Sequence, residues 1–499
     1  MSKFNQSTSG NNKTTNRSGY VAYKMSDKER LVTAVLSTMF GEPKFYGSTD
    51  DDIIRLAVEC AHADPAFLCK LACYARNVGN MRSISHVLTA VIAREAHEYT
   101  RRTIRNVVVR PDDITEIMSC YQTLYGKPFP NAMKREVAAA IQQFDEYQLA
   151  KYNGGNKELK LRDVLRITHP IPQSAEQEAL FRKVLDDTLA TPYTWETELS
   201  ARGNNKEVWD ELIASGKVGY MALLRNLRNI LKSGADVTPV LATLSDPAQV
   251  KKSRQLPFRF FSAYRMLDDD RLLTPAVRQA LESALTASIA NMETIPGRTL
   301  IAVDASGSMG STISRKSSVR CCDIGTLFGA MASRLCEDAT VCYFDCSNSW
   351  SQFKDKQKGY RIAHYGKFDS ILDICDKNTS AGGGTDLSLP MKFALEEDGT
   401  RDVKSFDRVI YFSDNECNSS WGRGLQKTVQ GAVDTYRQKY NPNFWVHGVD
   451  LQGYGTQQFC GSRFNLIAGW SESVLPFIML AEKGIGTLVT TIEDYPIGE

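Results

Sequence analysis

The sequence predicts a multidomain chain, with an N-terminal all-α, HEAT-like solenoid followed by a C-terminal α/β doubly wound (Rossmann-like) domain. Three observations carry this. At 499 residues the chain is too long for a single core. From Ser26 to about Asn291, apolar residues recur with the helical period and strand-like runs are nearly absent. From Arg298, short apolar runs alternate with amphipathic stretches, and several of the runs end in aspartate.

The first segment, residues 1–24, is rich in Ser, Thr, Asn and Gly, and its only charges are Lys3, Lys13, Arg17 and Lys24. It has no apolar stretch of the kind found in a secretion signal. A disordered, weakly basic arm is expected, either simply solvated or adding cations to an RNA site.

Helices follow over residues 25–297. Ser26-Asp-Lys-Glu29 is a capping box that precedes the apolar stripe Leu31, Val32, Val35, Leu36 and Met39. Asp64-Pro65 opens another helix with proline at its first position. Further helices are read at 85–98, 131–150, 159–167, 174–189, 205–214, 218–232 and 274–291. Short antiparallel helices in series suggest a solenoid, although no exact repeat is present.

Residues 298–499 read as alternating strands and helices. Strands are expected at "TLIAVD" (299–304), "ATVCYFD" (339–345), "RVIYFSD" (408–414), "FWVHGVD" (444–450) and "GTLVTTI" (486–492). Amphipathic stretches lie near 319–337, 387–397 and 424–440. In such folds the site lies at the carboxyl ends of the strands.

Composition narrows the function classes. A net charge of +2 gives no argument for nucleic acid from total charge alone. No apolar run reaches the roughly 18 residues of a membrane helix. The twelve cysteines sit mostly in apolar segments and form no CxxC pair, which leaves a zinc site little support and fits a reducing, cytoplasmic setting. Cys69 and Cys73, four apart on a helix, read as core.

The segment "VDASGSMGS" (303–311) puts Asp304, Ser306 and Ser308 on one loop after a strand. "SAGGGTD" (380–386) offers Thr385 from a glycine-rich loop, and "FSDNE" (412–416) places Asp414 at another strand end. Two carboxylates and three hydroxyls form an all-oxygen set suited to Mg²⁺ or Mn²⁺. This set resembles the metal-ion-dependent adhesion site of von Willebrand factor A domains, whose pattern is Asp-x-Ser-x-Ser, then Thr, then Asp. An ion held this way would take a carboxylate or phosphate from a partner. The serines lack a Gly-x-Ser-x-Gly elbow, and the glycine loop lacks the lysine of a P-loop. His364 and His447 read as surface or packing residues.

Basic residues gather in four helical stretches: "CYARNVGNMRS" (73–83), "AKYNGGNKELKLRDVLRITHP" (150–170), "MALLRNLRNILK" (221–232) and "KKSRQLPFRFFSAYR" (251–265). Together they suggest a basic lining that holds phosphates, with aromatics that stack bases. The acid clusters "STDDD" (48–52) and "LDDD" (267–270) balance the total charge.

The stretches "GYVAYKMSDKERL", "YARNVGNMRS", "KYNGGNKELKLRDVLRITHP" and "MALLRNLRN", in this order before the adhesion-type domain, resemble the TROVE module of Ro ribonucleoproteins. That resemblance implies a helical ring over residues 25–297. It also implies binding of single-stranded 3′ ends of misfolded noncoding RNA in a basic hole, and of structured Y-like RNA on the outer surface. It implies RNA contacts at Lys151 and His169, with Lys157 standing in for a family arginine. Charge adds Arg82, Arg162, Arg166 and Arg225. The expected protein is a monomeric, non-enzymatic RNA quality-control scaffold away from membranes, with a nuclease or acidic protein docking at the metal site. Two alternatives stand beside it: a metal-dependent protein-interaction scaffold without RNA, and a metal-dependent RNA hydrolase.

Overall fold

The computed structural model describes residues 13–15, 21–37, 50–153, 158–253, 255, 257–290, 292–312, 318–400, 404–418, 428–452, 456–468, 475, 478–479, 482 and 488–498. Two compact units emerge. One comprises Lys3–Thr49 and Gly219–Leu488, and the other Asp50–Val218 and Val489–Glu499.

The second unit is helical. Asp64 caps the helix Pro65–Asn77, its carboxylate accepting from the Phe67 amide at 3.1 Å, as the Asp-Pro signal implies. The buried residues of this helix include Cys69 and Cys73, both fully buried, so these two thiols are core. The helices Arg82–Glu95, Thr100–Val107, Pro111–Tyr125, Asn131–Ile141 and Leu161–Thr168 follow, each packed on near neighbours in the chain. The stretch read as one helix over 131–150 is two, Asn131–Ile141 and Glu146–Tyr152, because Asp145 caps the second by accepting from the Gln148 amide. A helix at Leu488–Glu493 joins this unit. There the expected strand at 486–492 is corrected. Lys70 donates to the Glu493 carbonyl, and Tyr74 meets Tyr495 edge-on at 5.5 Å, so tertiary packing overrides the β preference of Val and Thr.

The first unit is built on two sheets. The larger contains β3 (Ile295–Asp304), β4 (Cys336–Phe344), β5 (Tyr360–Ala363), β6 (Arg408–Ser413), β7 (Trp445–Asp450) and β9 (Phe464–Ala468), in the order β5-β4-β3-β6-β7-β9. All neighbours are parallel except β4 and β5. The short strands β5 and β9 were not legible as strands in the sequence. The smaller sheet contains β1 (Lys13–Thr15), β2 (Val21–Lys24) and β8 (Thr456–Gln457), all antiparallel. Described residues of the segment expected to be a disordered arm are therefore strands, held by backbone pairing to β8. The rest of residues 1–20 lies outside the described residues. Ser26 and Glu29 form the expected capping box: the Ser26 amide donates to Glu29 Oε2 at 2.7 Å, and the Glu29 amide to Ser26 Oγ at 3.2 Å.

Helices cover both faces of the larger sheet. Leu300, Ala302, Phe344, Val409 and Tyr411 bury one face against Met391, Ala394, Ala432 and Tyr436 of the helices Leu389–Thr400 and Val429–Lys439. On the other face lies the helix Cys321–Leu335, where Phe328 stacks on Phe412 at 5.8 Å. Gly329 permits that approach, since a Cβ there would stand 2.7 Å from Val303 Cγ2. The helices Pro257–Asp269 and Pro275–Ile289 belong to this unit as well. Glu282 accepts from the Ile371 and Leu372 amides at 2.9 and 3.0 Å, capping the helix Ile371–Asn378, and Arg278 pairs with Asp376 at 3.0 Å. The compact units thus cut the chain near 218, whereas the change of sequence texture falls near 298.

Candidate metal centre and basic surfaces

The strand order reverses at β3, with β4 on one side and β6 on the other. At such a switch point, loops leaving the carboxyl ends diverge and leave a crevice. Asp304 ends β3 and is fully buried. Its Oδ1 accepts from the Ser306 amide at 2.8 Å, and its Oδ2 accepts from the Ser413 hydroxyl at 2.6 Å. The Ser306 and Ser308 hydroxyl oxygens stand 3.3 Å apart. Oxygens at about 2.0–2.1 Å from one octahedral ion lie about 3 Å from each other.

Three loops are fastened together here. The Gly382 amide donates to the Ala305 carbonyl at 2.9 Å, and the Gly307 amide to the Gly383 carbonyl at 3.2 Å. Gly383 has φ +73°, and a Cβ there would stand 2.8 Å from Asp345 Oδ2, so only glycine fits. The Thr385 amide donates to Asn418 Oδ1 at 2.6 Å, and the Asn418 amide returns to the Thr385 carbonyl at 3.0 Å. Thr385 is buried, as are Ser306 and Asp414, while Ser308 is half-buried. The five residues singled out in the sequence therefore come from three loops at one end of the sheet.

Electrostatics at this end favour a cation. Burial, and then the charge of Asp304, drives the Asp414 carboxyl well above the usual range, with the Ser308 hydroxyl offsetting part of it. Burial pushes Asp304 up to about 6. Asp414 Oδ2 is buried without a hydrogen-bond partner among the described residues. Two buried carboxylates that repel one another, one with an unsatisfied oxygen, fit a hard divalent ion. Among the described residues no group of three or more His, Cys, Asp and Glu side chains is arranged to hold an ion.

Sequence reasoning missed the supporting residues. Ser413 fixes the Asp304 carboxylate. Asp345, at the end of β4, accepts from the Gln352 amide and the Ser351 hydroxyl, both at 2.7 Å. Their signal was the run of strands ending in aspartate. His447 is fully buried in β7, its Nε2 3.0 Å from Glu482 Oε1, and burial lowers its pKa. His364 is exposed.

The basic candidates divide. Lys151, Arg166 and His169 are exposed, and Lys151 Nζ lies 5.9 and 5.8 Å from the Tyr147 and Tyr152 rings. His169 ends its helix in the left-handed conformation, φ +46°. Arg162 is half-buried, its Nε lacking a partner among the described residues. Arg225 is exposed on the helix Tyr220–Ser233. Lys157 lies outside the described residues. Arg82 is committed elsewhere: its Nε donates to the fully buried Asp113 at 2.7 Å, and it pairs with Asp112 at 2.5 Å. Its charge is matched inside the fold by these two carboxylates.

Comparison with known proteins adds to this geometry. The TROVE domain model matches residues 21–190 and 187–276, and the Ro60 vWA (von Willebrand factor A) domain model matches residues 298–445. Telomerase protein component 1 of Rattus norvegicus is 28% identical over 332 residues, covering 48% of this chain and 13% of that protein. RNA-binding protein RO60 of Deinococcus radiodurans is 29% identical over 237 residues, covering 44% of this chain and 41% of that protein. The chain thus spans well under half the length of these relatives. The crystal structure of the Deinococcus radiodurans RO (RSR) protein matches with a TM-score of 0.62 at 20% identity, covering 92% of this chain and 100% of that one, which shows a shared fold.

Proposed function

The chain belongs to the TROVE family and carries a Ro60-type vWA domain, and we propose on that footing that it is an RNA-binding scaffold of the Ro ribonucleoprotein type. Its helical half takes single-stranded 3′ ends of misfolded noncoding RNA, its surface takes structured Y-like RNA, and the whole serves RNA quality control. The observation that carries this reading is the pairing, in one chain, of the TROVE match over 21–276 with the Ro60 vWA match over 298–445. The name of the Deinococcus relative, RNA-binding protein RO60, supports it. So do the exposed side chains of Lys151, Arg166 and His169, with the Lys151 ammonium beside the Tyr147 and Tyr152 rings. Cations neutralise backbone phosphates, and rings stack unpaired bases.

In this reading the vWA end is a docking point. Asp304, Ser306, Ser308, Thr385 and Asp414 hold Mg²⁺ or Mn²⁺, which when bound offers an electrophilic position to a partner's carboxylate or phosphate. Ser413 orients Asp304. Trp350 is 79% exposed, and a Cβ on Gly383 would stand 3.0 Å from its carbonyl oxygen, so an indole lies open beside the metal loops. An acidic protein or a nuclease suits such a surface, which also gives the reading of a metal-dependent protein-interaction scaffold its footing. No catalytic step is assigned to the chain. Twelve cysteines, none of them in a disulfide among the described residues, support a reducing, cytoplasmic setting.

The test is a variant carrying Lys151→Ala, Arg166→Ala and His169→Ser, three exposed positions. It is expected to keep its melting temperature and to lose RNA affinity by about tenfold or more. Wild-type affinity in the folded variant would remove this surface from the site.

A further inference from the structure

A cavity of about 540 Å³ opens between the helices Tyr220–Ser233 and Pro257–Asp269, within one compact unit. Its lining includes Met221, Arg225, Arg228, Arg259, Ser262 and Met266. Both helices owe their places to ordinary core residues. Leu223, Leu227 and Ile230 are buried on one, and Phe260, Phe261 and Tyr264 on the other. The cavity side adds charged and partly exposed side chains to the buried Leu224, Leu227 and Leu267.

The charges there are not balanced. Arg228 is matched: its guanidinium pairs with Asp270, which also holds Lys232 at 2.9 Å. Arg225 and Arg259 have no ion-pair or hydrogen-bond partner among the described residues. Both line the same cavity, where burial and then the charge of Arg225 hold the Arg259 pKa below its ordinary value. Among the described residues no carboxylate lines the cavity. Two neighbouring guanidiniums without a counter-charge are best relieved by a dianion, and guanidinium forks match phosphate oxygens. The walls are apolar and soft. Met221 and Met266 are 37% and 41% exposed, large for apolar side chains, and thioethers pack well against flat rings.

We infer that this cavity binds one nucleotide bearing a terminal phosphomonoester, the phosphate between Arg225 and Arg259 and the base between Met221 and Met266. A phosphodiester within a strand carries one charge, while a phosphomonoester near neutral pH carries close to two. The cavity therefore favours a phosphorylated end over an internal nucleotide. The same chemistry comes from a free mononucleotide or from the end of an RNA. The second source rests on the RNA-binding reading given above, and the first does not.

The experiment is calorimetric titration of the full chain with adenosine, adenosine 5′-monophosphate and adenosine 3′-monophosphate. In parallel, one eight-nucleotide RNA is titrated with a hydroxyl or a phosphate at each end. At least one monophosphate is expected to bind at least about tenfold more tightly than adenosine. Arg225→Gln and Arg259→Gln are each expected to weaken it by about ten- to a hundredfold, and Arg228→Gln by less. Arg225 and Arg259 reach solvent at the cavity mouth and Arg228 is half-buried, and circular dichroism checks the fold of all three variants. Met266→Glu, which puts a carboxylate into the wall, is expected to abolish binding. Octamers that bind equally with and without the end phosphate, together with monophosphates no tighter than adenosine, would overturn the inference and leave RNA binding standing. Monophosphates that bind while no octamer does would support the cavity with a free nucleotide as its ligand, and would count against the RNA reading. Binding of neither class would overturn both.

Discussion

Arg82 donates from Nε to the Oδ1 of Asp113 at 2.7 Å, and the carboxylate that receives it is fully buried. The same carboxylate accepts from Arg76 at 2.9 Å and from the Val109 and Arg110 amides at 3.0 and 2.9 Å, and His86 Nε2 lies 3.0 Å from it. The segment "YARNVGNMRS", basic in sequence, thus spends its two arginines tying the helices Pro65–Asn77 and Arg82–Glu95 to the start of Pro111–Tyr125. Asp113→Ala leaves these cations without their partner and is expected to cost about 3–5 kcal/mol in denaturant unfolding. Arg82→Ala is expected to lower stability while the folded fraction keeps its RNA affinity. Weaker RNA binding at unchanged stability would return Arg82 to the RNA surface.

Acid is expected to loosen this cluster. Hydrogen bonds from His86 and Arg82, with the Arg76 charge, outweigh burial and hold Asp113 well below the usual carboxylate range. Burial lowers His86, with Asp113 offsetting part of that. Both native values lie below the unfolded ones, so both groups bind protons more readily when unfolded, and both contributions are present at neutral pH and lost as pH falls. The His86 contribution declines first, from about pH 6.5 downward, and that of Asp113 below about pH 4. The melting temperature is expected to drop between pH 7 and pH 5, and to drop less in His86→Gln. An identical drop in the variant would assign the loss to other groups.

The metal loops make a two-sided prediction. Asp414→Asn removes one of two mutually repelling buried carboxylates, so in EDTA its melting temperature is expected to equal or exceed that of the wild type. In Mg²⁺ the wild type gains stability, about 2.7 kcal/mol at a hundred times the dissociation constant, and the variant gains none. Calorimetry with Mg²⁺ and with Mn²⁺ reads the affinity directly. Asp304→Ala is expected to lose the ion and keep single-strand RNA binding. Loss of both together would contradict separate sites.

Gly383→Ala tests the loop geometry. Its φ of +73° and the 2.8 Å approach to Asp345 Oδ2 leave no room for a methyl group. The expected result is Mg²⁺ binding weakened by tenfold or more, with RNA binding retained. Wild-type Mg²⁺ affinity would mean that the 382–384 loop does not shape the site.

Much of the architecture was legible because local chemistry and fold agree. Ser26-Glu29 and Asp64-Pro65 announce helix starts, and both caps form. Asp304, Ser306, Ser308 and Asp414 stood out as candidates because they sit where a strand hands over to a loop, and Thr385 because it ends a glycine-rich loop between two helices. What failed depends on distant partners. The run "TLVTTI" prefers strand locally, yet Leu488–Glu493 is a helix that packs into a unit formed mostly by Asp50–Val218. β5 and β9, of four and five residues, are strands chiefly because an edge awaits them. Arg82 looked like Arg225 in composition, and only Asp113, 31 residues on, tells them apart.

Binding of the purified protein to a labelled RNA duplex, with and without a free 3′ single-stranded tail, tests the central claim most directly when run over a salt series. The account predicts binding that requires the tail and weakens steeply with salt, the slope in log–log form near −0.7 for each phosphate contacted. Tail-independent binding, or none at low salt, would contradict it.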